Sequence, residues 1–475
     1  MPQNRNMFMQ DENPQFTELS IGDQLDDASI IDSIVNAPRP HPSTARIHTV
    51  PSLVKETEDY EKYFVPNQVS IGPKYFGHPK LKLVEKLKPS FTMKLLLDDK
   101  EVLERLFKKL GQAEMVKELR NFYEERLTDQ FCDKEFTKMM VLDGCFILYY
   151  IQFIFGEKFE KCRGLNSYQI AFVHQDLFLL ENQIPFKVLD EVMSLMNKTA
   201  DWHKKIKLFI DENILVRRRP KTRCFCFGND QSSREEKRDN GNIYPDHLLH
   251  LLHQSLTKKP NVPKVNSNQT ISNRYTFRNA SELKDVGIIF KPSGMMTLAH
   301  IGFQCWWFFA ATVKLPPITV DDSTKPLLLN LIAYEMCSPD AAHDSWVTSY
   351  ICLLDSLIDH PDDVKALRTA GVLENSLGSD QEVAELFNEI GTDLVPNYLA
   401  YLDAKNSIQE HYEDWRGTVI SQLKHEYVKS PWAFFALLGA IMALFLSGVQ
   451  VYYTVWGPKS QCDELCQLLK NNHHL

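Results

Sequence analysis

The sequence predicts a mainly α-helical fold with one small β-sheet in the C-terminal lobe and a transmembrane helix near the C-terminus. Three observations support this fold class. Apolar residues recur at helical spacing through residues 51–215, and the segments with β-character lie after residue 273. Residues 432–456 form an apolar run without a charged side chain.

Composition excludes several classes of protein. The chain has 475 residues, of which 44% are hydrophobic and 24% are charged, as in ordinary globular proteins. A wholly disordered chain, a collagen and a protein with many membrane spans are therefore excluded. The net charge of −9 argues against a nucleic-acid-binding protein, so no nucleic-acid partner is expected. Glycine-rich phosphate-binding motifs are absent from the sequence, and no cofactor is expected.

The N-terminal part of the chain divides into a tail, a helical lobe and an insertion. Residues 1–50 are polar and acidic and lack the apolar core of a signal peptide, so we expect a disordered tail. A mainly helical body follows over residues 51–428, and its first lobe, 51–215, contains helical patterns such as KEFTKMMVLDGCFILYYIQFIF. Pro185 is expected to start or kink a helix. Residues 216–245 are charged and turn-rich, which predicts an exposed insertion.

The C-terminal lobe follows a second insertion. Residues 254–273 are rich in turn-forming residues and are expected to be exposed. The lobe itself covers residues 273–428, where VGIIF and LPPITV predict the extended pieces of the small sheet. Several helical runs surround these pieces. Gly371 and Gly391 are expected to end two of those helices.

The apolar run from Trp432 to Trp456 predicts a single-pass membrane anchor. At 1.5 Å per residue, such a helix crosses the ~30 Å hydrocarbon core of a bilayer. Trp432 lies at one end, and Tyr452, Tyr453 and Trp456 lie at the other, where aromatic rings suit the membrane interface. We therefore expect an anchor that contacts membrane lipid and is inserted after translation, with residues 457–475 as a short tail. A buried core helix is the alternative.

Charges on either side of this run indicate the orientation of the body. Arg416, Lys424 and Lys429 precede it, and Lys459 and Lys470 follow it. The positive-inside rule thus favours a cytosolic body on the plasma membrane or an endomembrane.

Small residues form a stripe within the predicted anchor. Ala436, Ala440, Ala443 and Ser447 recur at spacings of four, three and four and share one helix face. Close packing through small residues associates helices in lipid, so a weak homo-oligomer or a pairing with a partner helix is predicted. A monomeric anchor is the alternative.

Three carboxylates inside apolar segments are candidate functional groups. Asp143, Asp176 and Glu181 are expected to be buried, and a buried carboxylate is costly unless it is paired or hydrogen-bonded. One interpretation is a catalytic acid–base pair with perturbed pKa values. The other is a polar network that fixes helix packing, with Asn182 and Gln183 supplying donors.

A short histidine series is a weaker candidate, for metal binding. His247, His250 and His253 are three residues apart on a predicted helix, so neighbouring members share one side. His247 and His250 are candidate ligands of a shared metal, although no cysteine or carboxylate stands near them at a structural-zinc spacing. The alternative is that these histidines are structural residues of the core. We therefore expect no bound metal.

Long motifs in a fixed order resemble those of a plant family. VSIGPKYFGHPKL (69–81), FTKMMVLDGCFILYYI (136–151) and DLFLLENQIPFKVL (176–189) are similar to the opening blocks of the plant domain-of-unknown-function 247 family. Later blocks, and a hydrophobic helix opened by Pro431-Trp432, extend the resemblance over residues 47–456. Lys74-Tyr75-Phe76 departs from the usual Tyr-His-His of the family, and Tyr149-Tyr150 departs from a Glu-Leu pair.

The resemblance implies a membrane protein without an assigned enzymatic activity. Some grass members of the family are implicated as pollen-side determinants of self-incompatibility, and they are encoded beside small secreted proteins that are candidate partners. We therefore expect recognition or signalling at a membrane, through the insertions at 216–245 and 254–273, with a protein partner. A membrane-bound enzyme using the buried carboxylates and a structural scaffold are the alternatives.

Overall fold

The described part of the chain comprises most of the predicted body and the C-terminal apolar run. The structure is a computed structural model that describes residues 35, 45–155, 164–196, 199–213, 216, 244–258, 278–295, 297–306, 310–338, 345–397, 399–413, 431–456, 466, 469 and 470.

Eleven helices precede residue 258 in the described ranges. They are α1 (Ser52–Lys55), α2 (Tyr60–Tyr63), α3 (Lys82–Leu95), α4 (Lys100–Leu110), α5 (Ala113–Arg120), α6 (Glu125–Thr128), α7 (Asp133–Ile154), α8 (Ser167–Asp176), α9 (Phe186–Leu195), α10 (Thr199–Asn213) and α11 (Leu248–Thr257), with a short 3₁₀ helix at Pro79–Leu81.

Helix α7 is the central helix of this half. Helices α3, α4, α5, α9 and α10 all pack against it. Its sequence is apolar on nearly every side rather than on one face only, which explains why other helices surround it. Gly144 permits the close approach of α9, because a Cβ atom there would lie 2.8 Å from Val188 Cγ1. Pro185 precedes the first residue of α9, as the sequence predicts.

The strands all lie in the C-terminal half. In the larger sheet, β1 (Ile288–Pro292) is parallel to β3 (Ala310–Leu315), and β3 is antiparallel to β2 (Gly302–Trp306). A second sheet pairs β4 (Ile318–Val320) with β5 (Leu373–Asn375) in parallel. A small sheet in this lobe is therefore confirmed, but the two predicted pieces do not share it: VGIIF contributes to β1 of the larger sheet, and Ile318–Val320 of LPPITV forms β4 of the second sheet.

Six helices accompany these strands in the described ranges. They are α12 (Ala280–Asp285), α13 (Thr324–Cys337), α14 (Trp346–Leu357), α15 (Pro361–Ala370), α16 (Asp380–Gly391) and α17 (Leu402–Glu413). Helices α12, α15 and α17 pack directly against the strands. Local signals set several of their ends. The Asn279 side chain accepts a hydrogen bond from the Glu282 N–H and caps α12. Gly371 follows α15 with a φ of 75°, which confirms the predicted stop, and α16 ends at Gly391.

The predicted N-terminal tail extends too far. Residues Ala45, Ile47 and Val50 are buried, and the main-chain N–H groups of Arg46 and Ile47 donate to the carbonyl oxygen of Phe122. Apolar side chains at this spacing pin the chain to the body, so the body begins by residue 45 rather than 51. Residues 1–34 and 36–44 lie outside the described residues.

Both predicted insertions are also shorter than expected. Val216 is fully buried, and α11 continues through Thr257 with Leu256 packed in the core. The apolar period of α11 thus runs past residue 254. Most of both insertions, 217–243 and 259–277, lies outside the described residues.

The last long helix is α18 (Pro431–Trp456), which covers the apolar run and contains no charged residue. The prediction of a mainly α-helical fold with a C-terminal apolar helix is confirmed.

Candidate functional site

A buried polar cluster grips an extended segment, residues 67–72, which we call the clasped segment. Asp176, at the end of α8, accepts three main-chain N–H groups from it. The Asn67 N–H donates to Oδ1 at 2.9 Å, and the N–H groups of Gln68 and Val69 donate to Oδ2 at 2.7 and 2.9 Å. An extended segment without a strand partner leaves its N–H groups unpaired, and this carboxylate satisfies three of them.

Asn182 also forms hydrogen bonds with the clasped segment. Its Oδ1 accepts the Ile71 N–H at 2.7 Å, while its Nδ2 donates to the carbonyl oxygens of Val69 and Asp176 at 3.1 and 2.8 Å. The side chain is fully buried. An amide can donate and accept at once, so Asn182 links the clasped segment to the end of α8.

A buried ion pair holds the far end of the segment. Asp143 of α7 accepts the Gly72 N–H at 2.7 Å and the Lys88 Nζ at 2.6 Å. Lys88 also donates to the Ser70 carbonyl oxygen at 2.6 Å and pairs with Glu85. Both partners of the ion pair are buried, so its geometry has to satisfy every donor and acceptor.

Gly72 is required at this point for two reasons. Its φ of 80° lies in the left-handed region that favours glycine. A Cβ atom would also lie 2.5 Å from the carbonyl oxygen of Gln183. We call Lys88, Asp143, Asp176 and Asn182, with the segment that they bind, the polar clasp.

Burial perturbs both carboxylates of the clasp. Burial raises the pKa of Asp176 to about 6, although its three backbone N–H donors act in the opposite direction. Burial also raises the pKa of Asp143, against the stabilising charge and hydrogen bond of Lys88. Perturbed pKa values occur in catalytic sites and in structural networks alike. Here each carboxylate oxygen already accepts a donor from the protein.

Glu181 lies in a separate group. Its Oε1 accepts the Val50 N–H at 3.0 Å and lies 3.2 Å from Lys55 Nζ. The hydroxyls of Tyr60 and Tyr75 donate to Oε2 at 2.9 and 2.8 Å. Glu181 therefore fastens the start of the body and is occupied on both oxygens.

Charge around Glu181 outweighs its burial. Burial alone raises the pKa of Glu181, but Lys74, Lys55 and the two tyrosine hydroxyls lower it below its ordinary value. Lys74 and Tyr75 belong to the segment in which this sequence departs from the Tyr-His-His of the family. Two partners of this carboxylate, Lys74 and Tyr75, therefore come from the segment that departs from the family pattern.

The three histidines all pack around Tyr334, with ring centroids 5.2 to 5.6 Å from its ring, and each has its own polar partner. His247 precedes α11 as its cap, and its Nδ1 accepts the His250 N–H at 3.3 Å. His250 bonds to Asp246 and Gln254, and His253 Nε2 lies 2.8 Å from Glu335 Oε1. Within the described residues, no three side chains of the His, Cys, Asp and Glu types are placed to hold a metal.

The structure therefore brings Asp143 and Asp176 to one segment and places Glu181 and the histidines elsewhere. Sequence reasoning missed Lys88, whose position carried a signal. Val84, Lys88 and Phe91 share the core-facing side of α3, and all three are buried. A lysine at a core position of an amphipathic helix requires a buried anionic partner.

The second candidate feature is α18. Two described helices are long and apolar enough to cross a membrane, α7 and the Leu438–Trp456 part of α18. Helix α7 is mostly enclosed by the body and is a core helix, whereas the corresponding window of α18 is 0% buried. The predicted interface residues Trp432, Tyr452, Tyr453 and Trp456 are all exposed.

The structure thus defines a mainly helical protein whose body is held by buried polar residues and is followed by an exposed apolar helix. Comparison with known proteins identifies its family. The chain matches, over residues 47–446, the family model DUF247, described as a plant protein of unknown function. The chain therefore belongs to the DUF247 family.

Relatives in Arabidopsis thaliana carry names of the same kind. The UPF0481 protein At3g47200 is 26% identical over 422 residues, which cover 82% of each chain. The putative UPF0481 protein At3g02645 is 31% identical over 182 residues, which cover 38% of this chain and 34% of the relative. No solved structure matches the chain at a significant level.

Proposed function

We propose that this protein is a membrane-anchored recognition or signalling protein, with α18 as a single transmembrane anchor. The observation that carries the proposal is the 26-residue helix Pro431–Trp456, which has no charged residue and whose Leu438–Trp456 window is 0% buried. At 1.5 Å per residue it extends about 39 Å, which is enough to cross a bilayer with some tilt. An exposed apolar surface of this size is costly in water.

The occupied carboxylates support recognition over catalysis. A catalytic acid or base has to reach the proton that it transfers. Asp143 and Asp176 hold the clasped segment, and Glu181 holds Val50 and two tyrosines, so their oxygens are committed to the fold. The polar groups in this body therefore position the fold, and a rigid scaffold that positions loops is typical of binding proteins.

The two insertions are the proposed recognition surface. Both are attached to fixed points of the body. Val216 is buried before the first insertion, and Tyr244 packs edge-to-face on Phe186 after it, with ring centroids 5.9 Å apart. The second insertion follows α11, whose Leu256 is buried. A small secreted protein is the partner that the resemblance to the self-incompatibility determinants suggests, and that role is one form of the proposal.

Orientation separates two versions of this proposal. The flanking basic residues favour a cytosolic body, which meets a cytosolic partner, whereas a secreted partner requires the body on the other side of the membrane. Asn197, Asn268 and Asn279 begin Asn-x-Ser/Thr triplets that would be glycosylated only on the lumenal side. A glycosidase-sensitive shift of the full-length protein in plant microsomes would assign the body to the lumenal side. Its absence, together with digestion of the body by added protease, is the result expected for a cytosolic body.

The recognition proposal is tested by crosslinked capture of the full-length protein from plant membranes. The matched control is residues 425–475 fused to an unrelated soluble protein, which presents the same anchor without the body. We expect a protein that is enriched over this control and that binds the purified full-length chain directly. A variant in which residues 217–243 are scrambled should bind that protein at least tenfold more weakly. Enrichment equal to that of the anchor control would contradict recognition by the body.

A further inference from the structure

The outer face of the larger sheet carries two adjacent lysines. In the parallel pairing of β1 with β3, Lys291 is the register partner of Lys314. Neighbouring strands lie about 4.8 Å apart, and side chains at paired positions point to the same face. Ile289 lies on this face two residues before Lys291, and its side chain is 46% exposed.

Neither lysine is neutralised within the described part of the chain. Lys291 and Lys314 have no ion pair and no side-chain hydrogen bond there. The antiparallel partner of Lys314 on its other side is Gly302, which has no side chain to shield it. Like charges on paired positions repel each other, so an anion bound beside both lysines would reduce that repulsion.

The larger sheet packs against a helix that lies close in sequence to the proposed membrane anchor, so the head groups of membrane lipids are the anions we consider. Helix α17 packs against β2 from the opposite face of the sheet, where His411 lies edge-to-face on Phe303 with ring centroids 6.3 Å apart. Helix α17 ends at Glu413 and α18 begins at Pro431, so residues 414–430 are all that separates the sheet support from the anchor. Seventeen residues span at most about 60 Å, a reach that allows this face of the body to contact the bilayer surface.

From this geometry we propose that the outer face of the larger sheet, defined by Ile289, Lys291 and Lys314, docks on an anionic lipid surface. The lysines neutralise lipid phosphates and carboxylates, and Ile289 adds apolar contact with the interface. The proposal rests on the anchor of the proposed function. Each lysine near an anionic membrane strengthens the contact about fivefold, so the pair contributes about 30-fold.

The test is the amine reactivity of each lysine in the full-length protein held in lipid nanodiscs. Acetylation rates are measured by mass spectrometry in phosphatidylcholine discs and in discs with about one third phosphatidylserine. We expect the rates of Lys291 and Lys314 to fall about fivefold in the anionic discs, whereas exposed Lys108 on α4 serves as the internal control and stays unchanged. In 0.5 M NaCl the protection should largely disappear, because the Debye length falls to about 4 Å.

Substitution gives a second readout. Lys314→Gln should restore the reactivity of Lys291 in anionic discs relative to neutral discs, and Lys108→Gln should leave that ratio unchanged. If the wild-type lysines are acetylated at equal rates in neutral and in anionic discs, the proposal is overturned. Equal protection by soluble inositol hexakisphosphate in neutral discs would reassign the pair to soluble anions and overturn the lipid commitment. Failure of the protein to enter discs at all would instead identify the anchor as the faulty step.

Discussion

Removing the Asp176 carboxylate is expected to destabilise the body strongly. Asp176→Ala leaves the N–H groups of Asn67, Gln68 and Val69 without an acceptor. Val69 is fully buried, so its orphaned N–H costs about 1–3 kcal/mol. The other two residues are half-buried, and water recovers part of their loss, so about 1 kcal/mol each is added. The expected loss in the free energy of unfolding is about 3–5 kcal/mol.

Urea denaturation of the full-length protein in detergent, followed by circular dichroism, measures this loss. Asp211→Ala is the matched control, since Asp211 is exposed on α10 and should change the free energy by less than about 0.5 kcal/mol. Asp176→Asn retains one acceptor oxygen and should fall between the two. If Asp176→Ala unfolds within 0.5 kcal/mol of the wild type, the clasped segment is not held by this carboxylate and the reasoning fails.

Further predictions concern a glycine and a histidine. Gly72→Ala should cost at least about 3 kcal/mol, because φ is 80° and a Cβ would meet the Gln183 oxygen at 2.5 Å. Gly77 has the same φ, but a Cβ atom there would meet open space, so Gly77→Ala should lower the free energy of unfolding by only about 1 kcal/mol. Equal losses for the two variants in urea denaturation would refute the steric argument. Burial lowers the pKa of His247 to about 3 from an ordinary 6.5, so the unfolded chain binds the extra proton and stability falls as pH falls through that window. His247→Asn, which keeps a capping acceptor, should remove about 2 kcal/mol of the loss between pH 6.5 and 5; parallel pH profiles for the two proteins would contradict this.

The sequence predicts that the carboxylates are buried, but it does not predict which groups bind them. Apolar neighbours indicate that Asp143 and Asp176 are enclosed, and the structure places both in a hydrogen-bonded network. The main-chain donors come from residues 67–72 and the side-chain donor to Asp143 is Lys88, 55 residues before it; hydrophobic periodicity carries no information on such long-range pairs. Asn182 and Gln183 are both donors, but they donate to main-chain carbonyl oxygens, those of Val69 and Asp176 and those of Leu177 and Leu179, rather than to a carboxylate.

Local signals explain which elements were predicted. Helices with clear periodicity and a cap, such as α15 with Gly371, follow from residues close in sequence. Strand β2 was missed because GFQCW lacks a clear two-residue alternation, and its place depends on pairing with β3. The parallel pairing of β4 with β5 joins Ile318 to Leu373 across helices α13, α14 and α15, so only the tertiary fold defines it.

Alkaline carbonate extraction of plant membranes tests the central claim most directly. The full-length protein and a deletion of residues 430–475 are compared, with circular dichroism of the purified deletion as the check on folding. We expect the full-length protein to stay in the membrane pellet and to need detergent, whereas the deletion should be soluble and helical. A deletion that still resists carbonate, or one that is unfolded and aggregated because α18 belongs to the core, would contradict the anchor.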